Sequence, residues 1–297
     1  MFIRWPKLAV WSQIAALMTL LLTAIPVVAG SSVEYGPPTA LGNGSLRSFV
    51  KLKGNGRPKT IGVEFGGAAL TGLPSGEPSD GTWDIPNPDG TIAWHCCGYE
   101  HLVTLPPSTA ATPFDHIVVN WNNEGHPPPG VYNPPHFDFH FYIISNAERQ
   151  TIAAPATASE MCVPTPGVPP VPLTCDILAR ALTPLPAAQM PPNFFSPGAV
   201  EPGMGNHLLD RSTAELNGGT FTQTWIYGTW DGAISFFEPM ITLAYLQGLQ
   251  GKICYDLKMP LVFAEAGDYP TRYCTAYNKN RDTYRITLEK FERFAGE

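Results

Sequence analysis

The stretch Pro134–Ser145, PPHFDFHFYIIS, decides how this chain is read. On the two-residue period of a β-strand, His136, Asp138 and His140 share one face and Phe137, Phe139 and Phe141 share the other. A helix would place His136 and His140 at the i, i+4 spacing familiar from metal sites. The FYII run that follows and the double proline before it favour a strand instead. The phenylalanines then anchor the strand in a core, and the polar face looks into a cavity or onto a second sheet.

The same alternation recurs on both sides of this stretch. Leu46, Val50 and Leu52 alternate up to the turn GNGRP, and Ile61, Val63 and Phe65 resume after it, a hairpin signal. DHIVVNW reads as a strand feeding PHFDFHFY through a loop with five prolines, which hold His126 in a defined place. GTFTQTWIYGTWDGAISFFEPMI reads as two strands around TWDG, and TYRITLEKF as one more. There is no internal repeat and no long amphipathic helix. The expected class is mainly β and antiparallel, a sandwich or barrel with a few short helices, with α+β as the alternative.

Arg4 and Lys7 precede an apolar run from Leu8 to Val28, and Val27 and Ala29 occupy the −3 and −1 positions of a small-residue cleavage site. Residues 1–29 read as a signal peptide; the competing reading is an uncleaved anchor, because the run is long enough to span a bilayer. Residues 30–154 follow as an N-terminal β region. Residues 155–202 carry 12 prolines and only CDILARAL as helical pattern, a proline-rich insertion or lid. Residues 203–297 are a C-terminal β region completing the same fold.

These features predict a protein exported to the periplasm or beyond the cell, with no membrane span after cleavage. Removing residues 1–29 leaves 16 basic against 25 acidic residues, a balance that argues against nucleic acid as a partner. In an oxidising compartment the six cysteines favour disulfides. Proximity suggests Cys162 with Cys175 and Cys254 with Cys274. The neighbours Cys96 and Cys97 are expected to bond elsewhere or stay reduced, a thiolate metal site being the sharper and less supported reading.

The chemistry gathers on the polar face of the central strand. Same-face neighbours lie roughly 6.6–6.8 Å apart, so His136 with Asp138, or Asp138 with His140, is the natural pair on a straight strand. Partners must come from elsewhere, and His207 in PGMGNHLLD and Glu238 in SFFEPM are the candidates. A mixed nitrogen and oxygen set of this kind suits a transition metal ion such as Zn, Mn, Fe or Ni better than Ca or Mg. The competitor is a buried polar network without an ion. No GxSxG, HExxH, phosphate-cradling loop or dinucleotide fingerprint is present, so nucleophilic and nucleotide chemistry have no support. Trp121, Tyr132, Trp225, Tyr227 and Trp230 flank these segments; two of them at a cavity mouth would suit an apolar or ring-shaped ligand.

The segments NWNNEGHPPPGVYNPPHFDFHFYIIS and PGMGNHLLDRSTAELNGGTFTQTWIYGTWDGAISFFEPMIT resemble a family of uncharacterised bacterial exported proteins. That family, a domain of unknown function, is named after a hypothetical protein of Thermus thermophilus belonging to an extracytoplasmic-stress regulon. The resemblance runs from Tyr35 to Leu246, and PHFDFHFY and YGTWDG with FFEPMIT are its most specific parts. It implies export and a β-rich fold and supplies no reaction. His136, Asp138, His140, His207 and Glu238 match its motifs. The long proline-rich stretch with Cys162 and Cys175, and the Cys96–Cys97 pair, depart from the pattern.

Two functional readings stay open at this point. In the first, His136, His140, His207 and Glu238 hold one metal ion, and Asp138 or Glu238 serves as general base in an enzyme acting on a small molecule. In the second, the same residues form a structural polar node in a non-catalytic protein of the cell envelope. Access discriminates them, since a node is sealed whereas a catalytic ion needs a pocket.

Overall fold

The computed structural model describes residues 1–2 and 32–297. The segment read as a signal peptide lies almost wholly outside the described residues. In chain order the strands are β1 (Val33–Leu41), β2 (Gly44–Leu52), β3 (Pro58–Gly66), β4 (Ile85–Pro86), β5 (Ile92–Trp94), β6 (Tyr99–Thr104), β7 (His116–Asn122) and β8 (His136–Tyr142). They continue as β9 (Phe194–Phe195), β10 (Val200–Glu201), β11 (Gly205–Asp210), β12 (Gln223–Trp230), β13 (Ala233–Thr242), β14 (Gly251–Asp256), β15 (Gly267–Asn278) and β16 (Thr283–Phe294). Three short helices, α1 (Asn146–Arg149), α2 (Cys175–Ala181) and α3 (Leu243–Gly248), join them.

Two antiparallel sheets hold most of these strands. One has the order β1-β2-β3-β16-β15-β14, and the other β10-β11-β12-β13-β8-β7-β6, with β9 pairing β11. Their inner faces meet as a sandwich, and neither sheet closes into a barrel. Leu46, Val50, Ile61, Val63, Ile286 and Leu288 of the first sheet share one core with Ile117, Val119, Phe137, Phe139, Phe141 and Phe237 of the second. Phe139 stacks on Phe65 across the gap with ring centroids 6.5 Å apart, and Trp225 stacks on Tyr273 at 5.3 Å. The hairpin expected from Leu46 to Phe65 is β2–β3, and the strands expected at residues 115–121 and 136–145 are β7 and β8, the latter ending earlier, at Tyr142.

The alternation along β8 sends the three phenylalanines inward, as expected, but its polar face does not meet solvent. Every residue of β7 and β8 is buried. Loops and the segment 146–204 close over the outer face of the second sheet. That cover has a small core of its own: Ile152, Leu173, Leu178, Ala181 and Val200 pack on Trp230, and a Cys162–Cys175 disulfide pins the proline-rich stretch. Arg149 is buried within it, donating from Nε to the Gly203 carbonyl at 3.0 Å, and Tyr142 donates to the same carbonyl at 2.9 Å. These bonds fix the turn that leads into β11.

Because Phe139 fills the space between the sheets, Phe139→Ala should lower unfolding stability by about 3–5 kcal/mol. Urea denaturation would show it as a lower midpoint at unchanged slope. A loss under about 1 kcal/mol would mean that the inter-sheet core does not depend on this ring.

Candidate metal centre

The strand register brings the polar side chains of four strands onto one outer face. Asn122 lies opposite His136, Asn120 opposite Asp138, and Val118 opposite His140 on the β7 side of β8. On the other side Asp138 pairs with Met240 and His136 with Thr242, so the shared register places His140 beside Glu238. Ile226 of β12 lies opposite Glu238, and His207 of β11 lies opposite Gly228. The glycine matters at this position: the Phe236 ring occupies the space that a side chain at residue 228 would need. His207 packs against that ring at 5.4 Å and leans toward Glu238.

Two clusters result, each of two histidines and one carboxylate. His140 Nε2 lies 3.3 Å from Glu238 Oε1, and His207 Nε2 lies 4.0 Å from Glu238 Oε2. His136 Nε2 lies 3.2 Å from Asp138 Oδ1, and His126 Nε2 lies 3.6 Å from Asp138 Oδ2. Within each cluster the candidate ligand atoms lie within 4.8 Å of one another. His136 and His140 are fully buried, and Asp138 and Glu238 nearly so.

Hydrogen bonds fix the tautomers of three of the four rings. His136 Nδ1 faces the Pro134 carbonyl at 2.7 Å, His126 Nδ1 the Pro127 carbonyl at 2.8 Å, and His207 Nδ1 the Ala199 carbonyl at 3.1 Å. A carbonyl oxygen can only accept, so each Nδ1 carries a proton, and in the neutral ring Nε2 is left as a bare lone pair. All three Nε2 atoms point at carboxylate oxygens. Histidines that ligate metals are held in this way, with the second nitrogen donating to a backbone carbonyl or carboxylate. Asn122 adds a donor to Asp138 Oδ2 at 2.7 Å, and orients that carboxylate.

Electrostatics sharpen the picture. Burial pushes the His140 imidazole down to about 3 and the His207 imidazole down to about 4, so neither supplies positive charge at neutral pH. Burial, with the nearby Asp138 charge, pushes the Glu238 carboxyl well above the ordinary carboxylate range. Burial acts on Asp138 in the same direction, but His136 and His126 outweigh it and hold that carboxyl well below. Each carboxylate thus needs a proton or a cation beside it.

Both clusters border a cavity of about 290 Å³. Its wall includes Tyr132, Met204, Ile226 and Met240 with Trp94 at one side, so it is largely apolar with converging polar groups. Of the five flanking aromatics, Tyr132 lines it; Trp121, Trp225 and Tyr227 belong to the inter-sheet core, and Trp230 to the small outer core. Cys96 and Cys97 also line the cavity and are bonded to each other, contrary to the expectation that they bond elsewhere or stay reduced. Their sulfurs are therefore spent and offer no thiolate ligand. The Cys162–Cys175 and Cys254–Cys274 pairs are as expected from proximity.

The five site residues read from sequence all reach this region, but split between two clusters: His136 stands with Asp138, while His140 and His207 stand with Glu238. His126 completes the Asp138 cluster; the proline-rich loop signalled that it was fixed, though not where it pointed. Glu201 had no sequence signal. It lies on the cavity wall, accepts a hydrogen bond from Trp94 Nε1 at 3.2 Å, and burial raises its carboxyl to about 7. Compared with protein-family models, curated proteins and solved structures, the chain has no match.

The raised Glu201 pKa makes a stability prediction for chelator-treated protein. Its native form holds a proton that the unfolded chain releases from its ordinary 4.5 upward, so this group's contribution falls as pH rises from about 4.5 to about 7. Glu201→Gln should flatten that part of the pH–stability curve. An unchanged curve would show that Glu201 is not held protonated.

Proposed function

We propose that the cavity is a metal centre, with a transition metal ion held by His140, His207 and Glu238, and that the protein is an exported metal-dependent enzyme acting on a small molecule. The observation that carries this reading is the Nε2 lone pair of His207, directed by its bond to the Ala199 carbonyl toward Glu238 at the border of a cavity. A sealed hydrogen-bond node would have no use for a 290 Å³ space beside it. Two imidazoles and one carboxylate form the donor set of catalytic zinc and non-haem iron sites, in which three protein ligands leave a position for water or substrate. Zn, Mn, Fe and Ni all accept these donors.

An ion in this position would supply an activated water or polarise a substrate oxygen. The protein's own contribution is to fix the imidazoles, exclude bulk water, and offer a proton-exchanging group. Glu238, drawn to two histidines, fits a ligand role better than that of a free general base. Glu201, raised to about 7 and facing the cavity, fits the proton-transfer role. Export is supported by the N-terminal signal pattern and by three disulfides among the described residues, and no helix described there is long and apolar enough to cross a membrane. The non-catalytic node stays as the competing reading.

Elemental analysis of protein purified from an oxidising compartment without chelator tests the proposal. Wild-type protein should carry transition metal, and His207→Ala should lose at least one equivalent while keeping its circular dichroism spectrum. Metal-free wild-type protein that takes up none of the four metals when they are supplied would contradict it.

A further inference from the structure

We propose that His126, His136 and Asp138 form a second cation site, so that the cavity holds two transition metal ions side by side. This deepens the metal-centre reading, yet it uses none of the ligands of the His140, His207 and Glu238 set, so the two can fail separately.

The geometry meets what such an ion requires. Metal bonds of about 2.0–2.1 Å in a tetrahedral site put neighbouring ligand atoms roughly 3.3–3.4 Å apart. His136 Nε2 lies 3.2 Å from Asp138 Oδ1 and His126 Nε2 3.6 Å from Asp138 Oδ2, and one ligand atom from each of the three residues lies within 4.8 Å of the others. Both rings have their Nδ1 protons committed to backbone carbonyls, Pro134 and Pro127, so each offers Nε2 to the shared space. His136 Nε2 and Asp138 Oδ1 are buried and have no hydrogen-bond partner among the described residues. Two acceptors held face to face at this distance repel unless a proton or a cation sits between them.

The supporting structure is rigid. The His126 and His136 rings meet edge to face at 4.7 Å, and His126 N–H donates to the Tyr132 carbonyl at 3.2 Å, closing the proline-rich loop over β8. Asn122 donates to Asp138 Oδ2, the oxygen that faces His126, and fixes the carboxylate. Asp138 and Glu238 occupy diagonal positions on adjacent strands, which places their side chains about 7–8 Å apart at the backbone. Both Asp138 and Glu238 line the cavity, so an ion at each carboxylate would border the same space. The competing arrangement is an ion pair, with a protonated imidazole donating to Asp138 and no second metal.

The test is metal stoichiometry on the chelator-stripped, disulfide-intact protein, loaded with Zn(II) or Co(II) alone, freed of excess by gel filtration and assayed by elemental analysis. Two equivalents are expected in the wild type, one in His126→Ala, one in His207→Ala and none in the double variant. His126 sits in a loop with its side chain one-third exposed, so its loss should leave folding intact, and a circular dichroism melt checks this. His126→Asn provides a second variant that keeps a polar side chain. A wild-type value of one that His126→Ala leaves at one would overturn the second site and spare the first. A wild-type value of one that falls to none in both single variants would mean a single shared ion and overturn the proposal. Two equivalents retained in His126→Ala would place the second ion elsewhere. No uptake in the wild type would overturn both readings.

Discussion

Two carboxylates buried on the covered face of a central sheet are the constraint around which this protein is organised. Removing a charge from water costs several kcal/mol even after relaxation, so Asp138 and Glu238 must each be neutralised where they stand. The chain answers with four histidines, and backbone carbonyls take the Nδ1 protons of at least three of them so that Nε2 faces the acids. A network meant only to hold two layers together would satisfy each carboxylate with N–H or O–H donors. Here one such donor, the Asn122 amide, reaches Asp138, a sparseness that supports the proposed cation.

The rest of the fold supplies the platform. Phe137, Phe139 and Phe141 bolt β8 to the opposing sheet, so the histidines between them sit on a backbone that cannot drift. Gly228 makes room for Phe236, Phe236 supports His207, and Arg149 with Tyr142 secures the turn before β11. The proline-rich segment, pinned by its disulfide, closes the outer side and converts an exposed sheet face into a walled cavity. Precision at the site therefore rests on strands and packing, with one proline-stiffened loop contributing His126.

Much of this was legible in the sequence because β-structure writes its faces into a two-residue period. The strands at PHFDFHFY, DHIVVNW and FFEPMI, the hairpin from Leu46 to Phe65, and the polar face of His136, Asp138 and His140 follow from strand patterning, while His207 and Glu238 stood out as ligand-type residues at the edges of patterned segments. What alternation cannot supply is register between distant strands. That His140 would stand beside Glu238 while His136 took Asp138 depends on how β13 slides along β8, a relation fixed by the whole sheet. His126 and Glu201 were hidden for a related reason: both lie outside the patterned strand cores, where position is set by loops. A bond between Cys96 and Cys97 went against the general expectation for adjacent cysteines, and only their place on the cavity wall brings the pair into view.

The most direct test of the central claim is anomalous X-ray diffraction at the zinc edge from crystals of the protein loaded with Zn(II). A peak within about 2.0–2.2 Å of His140 Nε2, His207 Nε2 and a Glu238 oxygen is the predicted result. A cavity without an anomalous peak, in crystals whose zinc lies only at the protein surface, would contradict the account and leave the buried acids balanced by protons alone.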